Sequence, residues 1–121
     1  MNTSQYEAPG SVDEAVALLA NAKGNARVLA GGTDLLVQIR MGMADPALIV
    51  DIKKIAEMTT ITAENGGFRI GGAVSGAELN ENAAVKSMWP GVVEAMDLIG
   101  STQIQGRCTL AGNLCNASPA A

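Results

Sequence analysis

Histidine is absent from the 121 residues. That absence removes the Ser-His-Asp and Cys-His nucleophile pairs and any zinc site built on imidazole. Cysteine occurs only at Cys108 and Cys115. Two thiols cannot supply the four that an iron–sulfur cluster takes, and their spacing matches no common zinc or redox motif. Reduced, packed thiols are the expectation. The aromatic residues are Tyr6, Phe68 and Trp89 alone, so few rings are on hand for stacking, and each is expected to pack instead. The net charge is −4 and no Lys/Arg cluster appears, which excludes general nucleic-acid binding. No apolar run approaches the ~18 residues of a membrane span. The opening MNTSQYEAPG has neither the basic nor the apolar region of a signal peptide, so a cytoplasmic location is expected. A chain this poor in reactive side chains is expected to hold something rather than attack it.

What is present describes a core-former: 48% of residues are apolar and 17% charged. Ser11-Val12-Asp13-Glu14 is a capping box, with Val12, Ala15, Val16 and Leu19 as an apolar stripe behind it. Gly24 supplies a left-handed stop. Arg27 to Ala30 reads as a buried strand and Asp34 to Met41 as a helix, with Leu35, Leu36 and Ile39 toward the core and Gln38 and Arg40 outside. After the Asp45-Pro46 turn, Ala47 to Asp51 is a second buried strand. A helical crossover between two apolar strands predicts a small parallel sheet. From Met58 the texture changes to β-branched residues, and Asn65-Gly66-Gly67 is a hairpin signal. A subdomain boundary is therefore expected at residues 52–58, with antiparallel pairing beyond it. Ser75 to Glu81 reads as a short helix, and a longer one starts at Pro90 and ends at Gly100.

Two glycine-containing stretches remain. In Val28-Leu29-Ala30-Gly31-Gly32-Thr33-Asp34-Leu35 a strand hands over to a helix through Gly-Gly. The amides that open a helix have no partner inside it, and such donors suit a phosphate. Thr33 adds a hydroxyl, whereas the Asp34 carboxylate has to point away. The stretch is neither a Walker A loop nor a G-x-G-x-x-G fingerprint, and taken singly it reads equally as a tight strand-to-helix turn. Leu110-Ala111-Gly112-Asn113 repeats the device far down the chain, bounded by Thr109 and Asn116. Together the two turns can cradle a pyrophosphate with main-chain donors; apart, they are two ordinary turns. Ile70-Gly71-Gly72 is read as a strand bend.

These stretches, the second continuing through Leu114-Cys115-Asn116-Ala117-Ser118-Pro119, resemble the two FAD-pyrophosphate motifs of the molybdenum hydroxylase family. The likeness is to its medium, flavin-carrying subunit, as in carbon monoxide dehydrogenase and xanthine dehydrogenase relatives, and it covers essentially the whole chain. It implies an α+β fold of the vanillyl-alcohol-oxidase (PCMH) type. A small parallel α/β subdomain would occupy residues 1–55, and the start of an antiparallel subdomain residues 56–121. It also implies that Val28, Leu29, Ala30, Gly31, Gly32, Thr33, Asp34 and Leu35, with Thr109, Leu110, Ala111, Gly112 and Asn113, line FAD. Ile99 and Ile104 would meet the flavin. No catalytic side chain or metal ligand is implied here. In such enzymes a large subunit holds a molybdenum–pterin cofactor and a small subunit two [2Fe–2S] clusters. Electrons pass from these through FAD to an external acceptor within a hetero-oligomer. Relatives continue past the second motif with an aspartate one residue beyond Ala121. The expectation is thus an N-terminal portion of an oxidoreductase subunit, inactive in isolation. A scaffold that no longer retains FAD, and a domain using only the first turn for a mononucleotide, are the competing readings.

Overall fold

Three short strands and two crossover helices build the N-terminal half. They are β1 (Gln5–Glu7), α1 (Val12–Asn21), β2 (Ala26–Leu29), α2 (Leu35–Arg40) and β3 (Leu48–Asp51). The sheet order is β1-β3-β2, and both pairings are parallel. The computed structural model describes residues 3–118, and Pro119 of the second motif lies outside them. Ser11 Oγ caps α1 by accepting from the Glu14 amide at 3.2 Å. Glu14 reaches back to the Gly10 amide rather than to that of Ser11. The chain leaves α1 through Lys23 and Gly24, both at positive φ.

Three features depart from the expected pattern, the first being β2, read as buried but with Arg27 and Val28 exposed. Strand β1 pairs with β3 although all three of its residues are exposed, so no alternation marks it in the sequence. Helix α2 has no buried residue, and Leu36 is 47% exposed rather than facing a core. With fewer than two turns, α2 reaches neither hydrophobic cluster. Its Leu36 lies over Gly32 instead, with Cδ1 3.1 Å from where a Cβ would stand.

Beyond a 3-10 turn at Ala56–Met58, β4 (Ile61–Glu64) and β5 (Gly67–Ile70) form an antiparallel hairpin. Asn65 and Gly66 both take positive φ at its tip, as a two-residue turn of this hand requires. Five helices follow: α3 (Gly76–Glu81), α4 (Ala83–Met88), α5 (Pro90–Asp97), α6 (Thr102–Gln105) and α7 (Leu110–Cys115). Ser75, Asn82 and Thr109 cap α3, α4 and α7, each accepting from the amide three residues on. Helix α4 was not anticipated, and the second glycine stretch forms helix α7 rather than a turn.

One hydrophobic cluster gathers Ala15, Leu48, Val50 and Ile55; the other gathers Val74, Leu79, Val85, Val93, Met96, Ile99 and Cys108. Among the described residues no helix is long and apolar enough to cross a membrane.

Candidate functional site

Both motif segments meet at the C-terminal edge of the parallel sheet, where ligands of open α/β sheets bind. Leu29 ends β2 opposite Asp51, which ends β3. The chain then turns through residues 30–34. Gly31 faces the backbone before the second motif so closely that an added Cβ would lie 2.0 Å from the Arg107 carbonyl oxygen. Glycine here lets the two segments touch. The missing Cβ makes room for the Arg107 backbone. Gly32 sits at φ +79°, a left-handed conformation that side chains resist. From the other side, an antiparallel bridge between Ser75 and Thr109 and a 2.8 Å bond from the Gly76 amide to the Cys108 carbonyl hold the start of α7.

Between the segments lies a cleft of about 540 Å³. Val28, Ala30, Gly31, Gly32, Thr33, Asp34 and Leu35 line one wall. Thr109, Ala111, Gly112 and Asn113 line the other, with Ile99 between them. Three expected residues stand elsewhere. Leu29 is buried beneath Gly32, Leu110 packs on the second hydrophobic cluster, and Ile104 covers Gly100. Several lining residues escaped the sequence reading: Arg27, Gln38 and Ile52, then Cys108, Cys115, Asn116 and Ser118, and Gly72, which faces Ala111. Gly72 belongs to the stretch read as a strand bend.

Hydrogen bonding shows which donors the cleft leaves open. Among the described residues, none hydrogen-bonds to Gly31 or Thr33. The Gly112 amide is taken by Thr109 Oγ1 at 2.9 Å, so in the first turn of α7 only the amides before it remain for a ligand. Asp34 does not cap α2. Its Oδ2 accepts from Gln38 Nε2 at 3.2 Å and from Asn116 Nδ2 at 2.6 Å, the latter bond joining the two motifs. The carboxylate is thus turned into partners, as a phosphate neighbour requires.

Beneath the first loop runs a polar network that no local pattern announces. Lys53 Nζ donates to the Ala30 carbonyl at 2.7 Å and pairs with Asp51 Oδ1 at 2.9 Å. Asp51 also accepts from the Lys53 amide and from Tyr6 Oη. Burial pushes the Asp51 pKa up, but the bonds from Tyr6 and Lys53, with the ammonium charge, outweigh it and hold it below the usual carboxylate value. The hydrogen bond to Asp51 raises the Tyr6 pKa. A carboxyl with a lower pKa folded than unfolded stabilises the fold fully above about pH 4, and that contribution is lost as pH falls through the depressed value. Asp51→Asn is therefore expected to cost about 1–3 kcal/mol near neutral pH. Chemical denaturation as a function of pH checks this: the gap to wild type should close progressively below about pH 4.

The two thiols differ. Cys108 is buried, which raises its pKa and keeps it protonated. Cys115 is exposed, contrary to the packed state expected for both. Among the described residues no His, Cys, Asp or Glu cluster could hold a metal.

The whole chain from residue 2 to residue 121 matches the family described as the FAD binding domain in molybdopterin dehydrogenase. The chain is 37% identical over 115 residues to the caffeine dehydrogenase subunit beta of Pseudomonas sp. (strain CBB1), covering 95% of this chain and 39% of that protein. It is 35% identical over 115 residues to the carbon monoxide dehydrogenase medium chain of Hydrogenophaga pseudoflava, covering 95% and 40%. Among solved structures, the reconstituted CO dehydrogenase from Oligotropha carboxidovorans superposes with a TM-score of 0.92 at 30% identity, covering 98% of this chain and 41% of that one. The chain thus spans about two fifths of the length of these relatives. A match from end to end, on a backbone of the same α+β flavin-binding type, carries one conclusion: this chain belongs to the family of FAD-binding domains of molybdopterin dehydrogenases.

Proposed function

We propose that the cleft between the two motif segments holds the diphosphate and neighbouring parts of FAD, and that the chain is part of the flavin subunit of a molybdenum hydroxylase. The observation that carries this reading is the convergence of residues 30–34 and the start of α7 on one cleft. Its fit to FAD rests on three features. The volume lies within the range of small-molecule sites. Thr33 offers an amide and a hydroxyl that nothing else in the described chain engages. The carboxylate in the lining, Asp34, is already hydrogen-bonded, and Arg27 is also among the lining residues. In this reading Val28, Ala30, Gly31, Gly32, Thr33, Asp34 and Leu35 face one side of the cofactor and Thr109, Ala111, Gly112 and Asn113 the other. Ile99 supplies an apolar surface for the flavin, while Leu29, Leu110 and Ile104 support from behind. The division into units at residues 55 and 56 belongs to the same reading, as each side has its own hydrophobic cluster.

When bound, FAD supplies the redox chemistry that carries electrons from [2Fe–2S] clusters on a small partner subunit to an external acceptor. The chain's own residues bind, orient and shield it. The names of the relatives, a subunit beta and a medium chain of dehydrogenases, support an oxidoreductase hetero-oligomer, and a large molybdenum–pterin partner subunit is part of the same proposal.

The protein carrying this chain should be yellow as isolated and release FAD, identified by mass, on denaturation. A colourless protein that takes up no FAD on titration, yet forms a stable complex with a partner subunit, would favour the scaffold reading instead. Gly32 separates charge from shape. Gly32→Asn and Gly32→Asp place similar side chains at the same left-handed position, which Asn and Asp tolerate best after glycine. Gly32→Asp should lose about tenfold more FAD affinity than Gly32→Asn, since a carboxylate beside a diphosphate costs at least ~1.4 kcal/mol at short range. Equal losses would contradict a diphosphate at this loop.

A further inference from the structure

We propose that Lys53 is a positioning residue for the cofactor: by tying the Ala30 carbonyl to buried Asp51, it fixes the orientation of the Gly31-Gly32-Thr33 loop. This inference rests on the FAD reading and adds to it a residue from outside both motifs. Three strands contribute to one point. Tyr6 on β1 donates to Asp51, Asp51 ends β3, and Ala30 follows directly on β2. The Lys53 ammonium joins the last two, at 2.9 Å to Asp51 Oδ1 and 2.7 Å to the Ala30 oxygen. A peptide unit is planar, so holding one carbonyl fixes the direction of the next amide as well. The carbonyl of Ala30 and the amide of Gly31 belong to the same unit. With its oxygen held by Lys53, rotating that unit costs a hydrogen bond, which favours one orientation as the chain enters the left-handed turn at Gly32.

The arrangement also says how Lys53 acts. A free ammonium beside a diphosphate would help by its charge. Here the charge is opposed at 2.9 Å by a carboxylate whose side chain is 8% exposed, so little field is left for a ligand. Geometry, rather than attraction, is what the pair supplies. The two mechanisms predict opposite signs for one variant. If Lys53 acted by its field, Asp51→Asn would free that charge and tighten FAD. If Lys53 acts by position, Asp51→Asn slackens the anchor and weakens FAD.

The test is FAD titration of the protein followed by flavin fluorescence, with the visible circular dichroism of the bound flavin as a second readout. Each variant is titrated at a temperature well below its own melting transition. Wild-type binding is the control: if wild type itself takes no FAD, the functional reading fails and not this one. With wild type binding, Lys53→Met should weaken FAD about tenfold and alter the flavin dichroism. Lys53→Arg, which keeps a donor for both oxygens, should restore most of the affinity, and Asp51→Asn should weaken it in the same direction as Lys53→Met. The proposal is overturned if Lys53→Met lowers the melting temperature but leaves the FAD affinity and dichroism unchanged, or if Asp51→Asn binds FAD more tightly than wild type.

Discussion

Gly31→Ala is expected to weaken FAD binding by about 100-fold and to destabilise the fold by about 1–3 kcal/mol. The new Cβ would stand 2.0 Å from the Arg107 carbonyl oxygen, 2.7 Å from its carbon and 3.0 Å from Cys108 Cα. All three are main-chain atoms, so no flexible side-chain end can yield. Ordinary contact is reached only if the two cleft walls separate by more than an ångström. The loop amides and the start of α7 then no longer address one diphosphate. Charge-assisted hydrogen bonds contribute about 1.5–3 kcal/mol each, and losing one strong bond or two weaker ones accounts for the hundredfold. Gly91→Ala is the matched control. Its Cβ meets nothing within 4 Å and it lies in the first turn of α5, so FAD affinity should hold and stability stay level or rise slightly. Isothermal titration with FAD and chemical denaturation of both variants measure the two effects separately.

The second large effect concerns the core that carries the far wall. Met96 is 0% exposed and central to the cluster that includes Ile99 and Cys108, both of which also line the cleft. Met96→Ala should cost about 2–5 kcal/mol through lost burial and the cavity left behind. For a small fold with total stability of about 5–15 kcal/mol, that is a large fraction. Gly76 provides the internal check. A Cβ there would lie 2.4 Å from Met96 Cε, so Gly76→Ala alone overpacks the site. In the Met96→Ala background the same methyl enters vacated space. The double variant should therefore be less destabilised than the sum of the single ones, by about 0.5–3 kcal/mol. Strict additivity in urea denaturation would mean that these two residues do not meet as the structure has them.

Local chemistry was the readable part of this chain. The Ser11 cap, the positive φ at Asn65 and Gly66 and the proline opening α5 each rest on a preference that acts within a few residues. The parallel sheet was readable because apolar β2 and β3 flank a helix-length segment. Strand β1 was not, since its exposed Gln5-Tyr6-Glu7 owes its pairing to β3 and to the Tyr6–Asp51 hydrogen bond. Helix α7 hid behind Gly112, a residue that disfavours helix interiors by about 1 kcal/mol. The Thr109 cap stabilises it where it starts. The stripe of Leu35, Leu36 and Ile39 pointed to a core that so short a helix does not reach.

The site divides along the same line. Two segments brought together by glycine could be identified because the motifs are contiguous in sequence. The close approach at Gly31 was not readable, because backbone meets backbone there across many intervening residues. Distance along the chain likewise concealed Lys53 and the partner of Asn116. Lys53 lies 23 residues from the carbonyl it holds, and Asn116 lies 82 residues from the carboxylate it meets. Lys53 acquires its role only when β2 and β3 pair, and Asn116 meets Asp34 only when the sheet edge and the end of α7 come together.

Backbone amide shifts on adding FAD to the isotope-labelled protein address the central claim most directly. A diphosphate held between the two segments should move the amides of Gly31, Gly32, Thr33, Leu110 and Ala111 most, and leave those of the β4–β5 hairpin and α4 nearly still. Largest shifts in the hairpin or α4, with the five cleft amides silent under saturating FAD, would contradict the account.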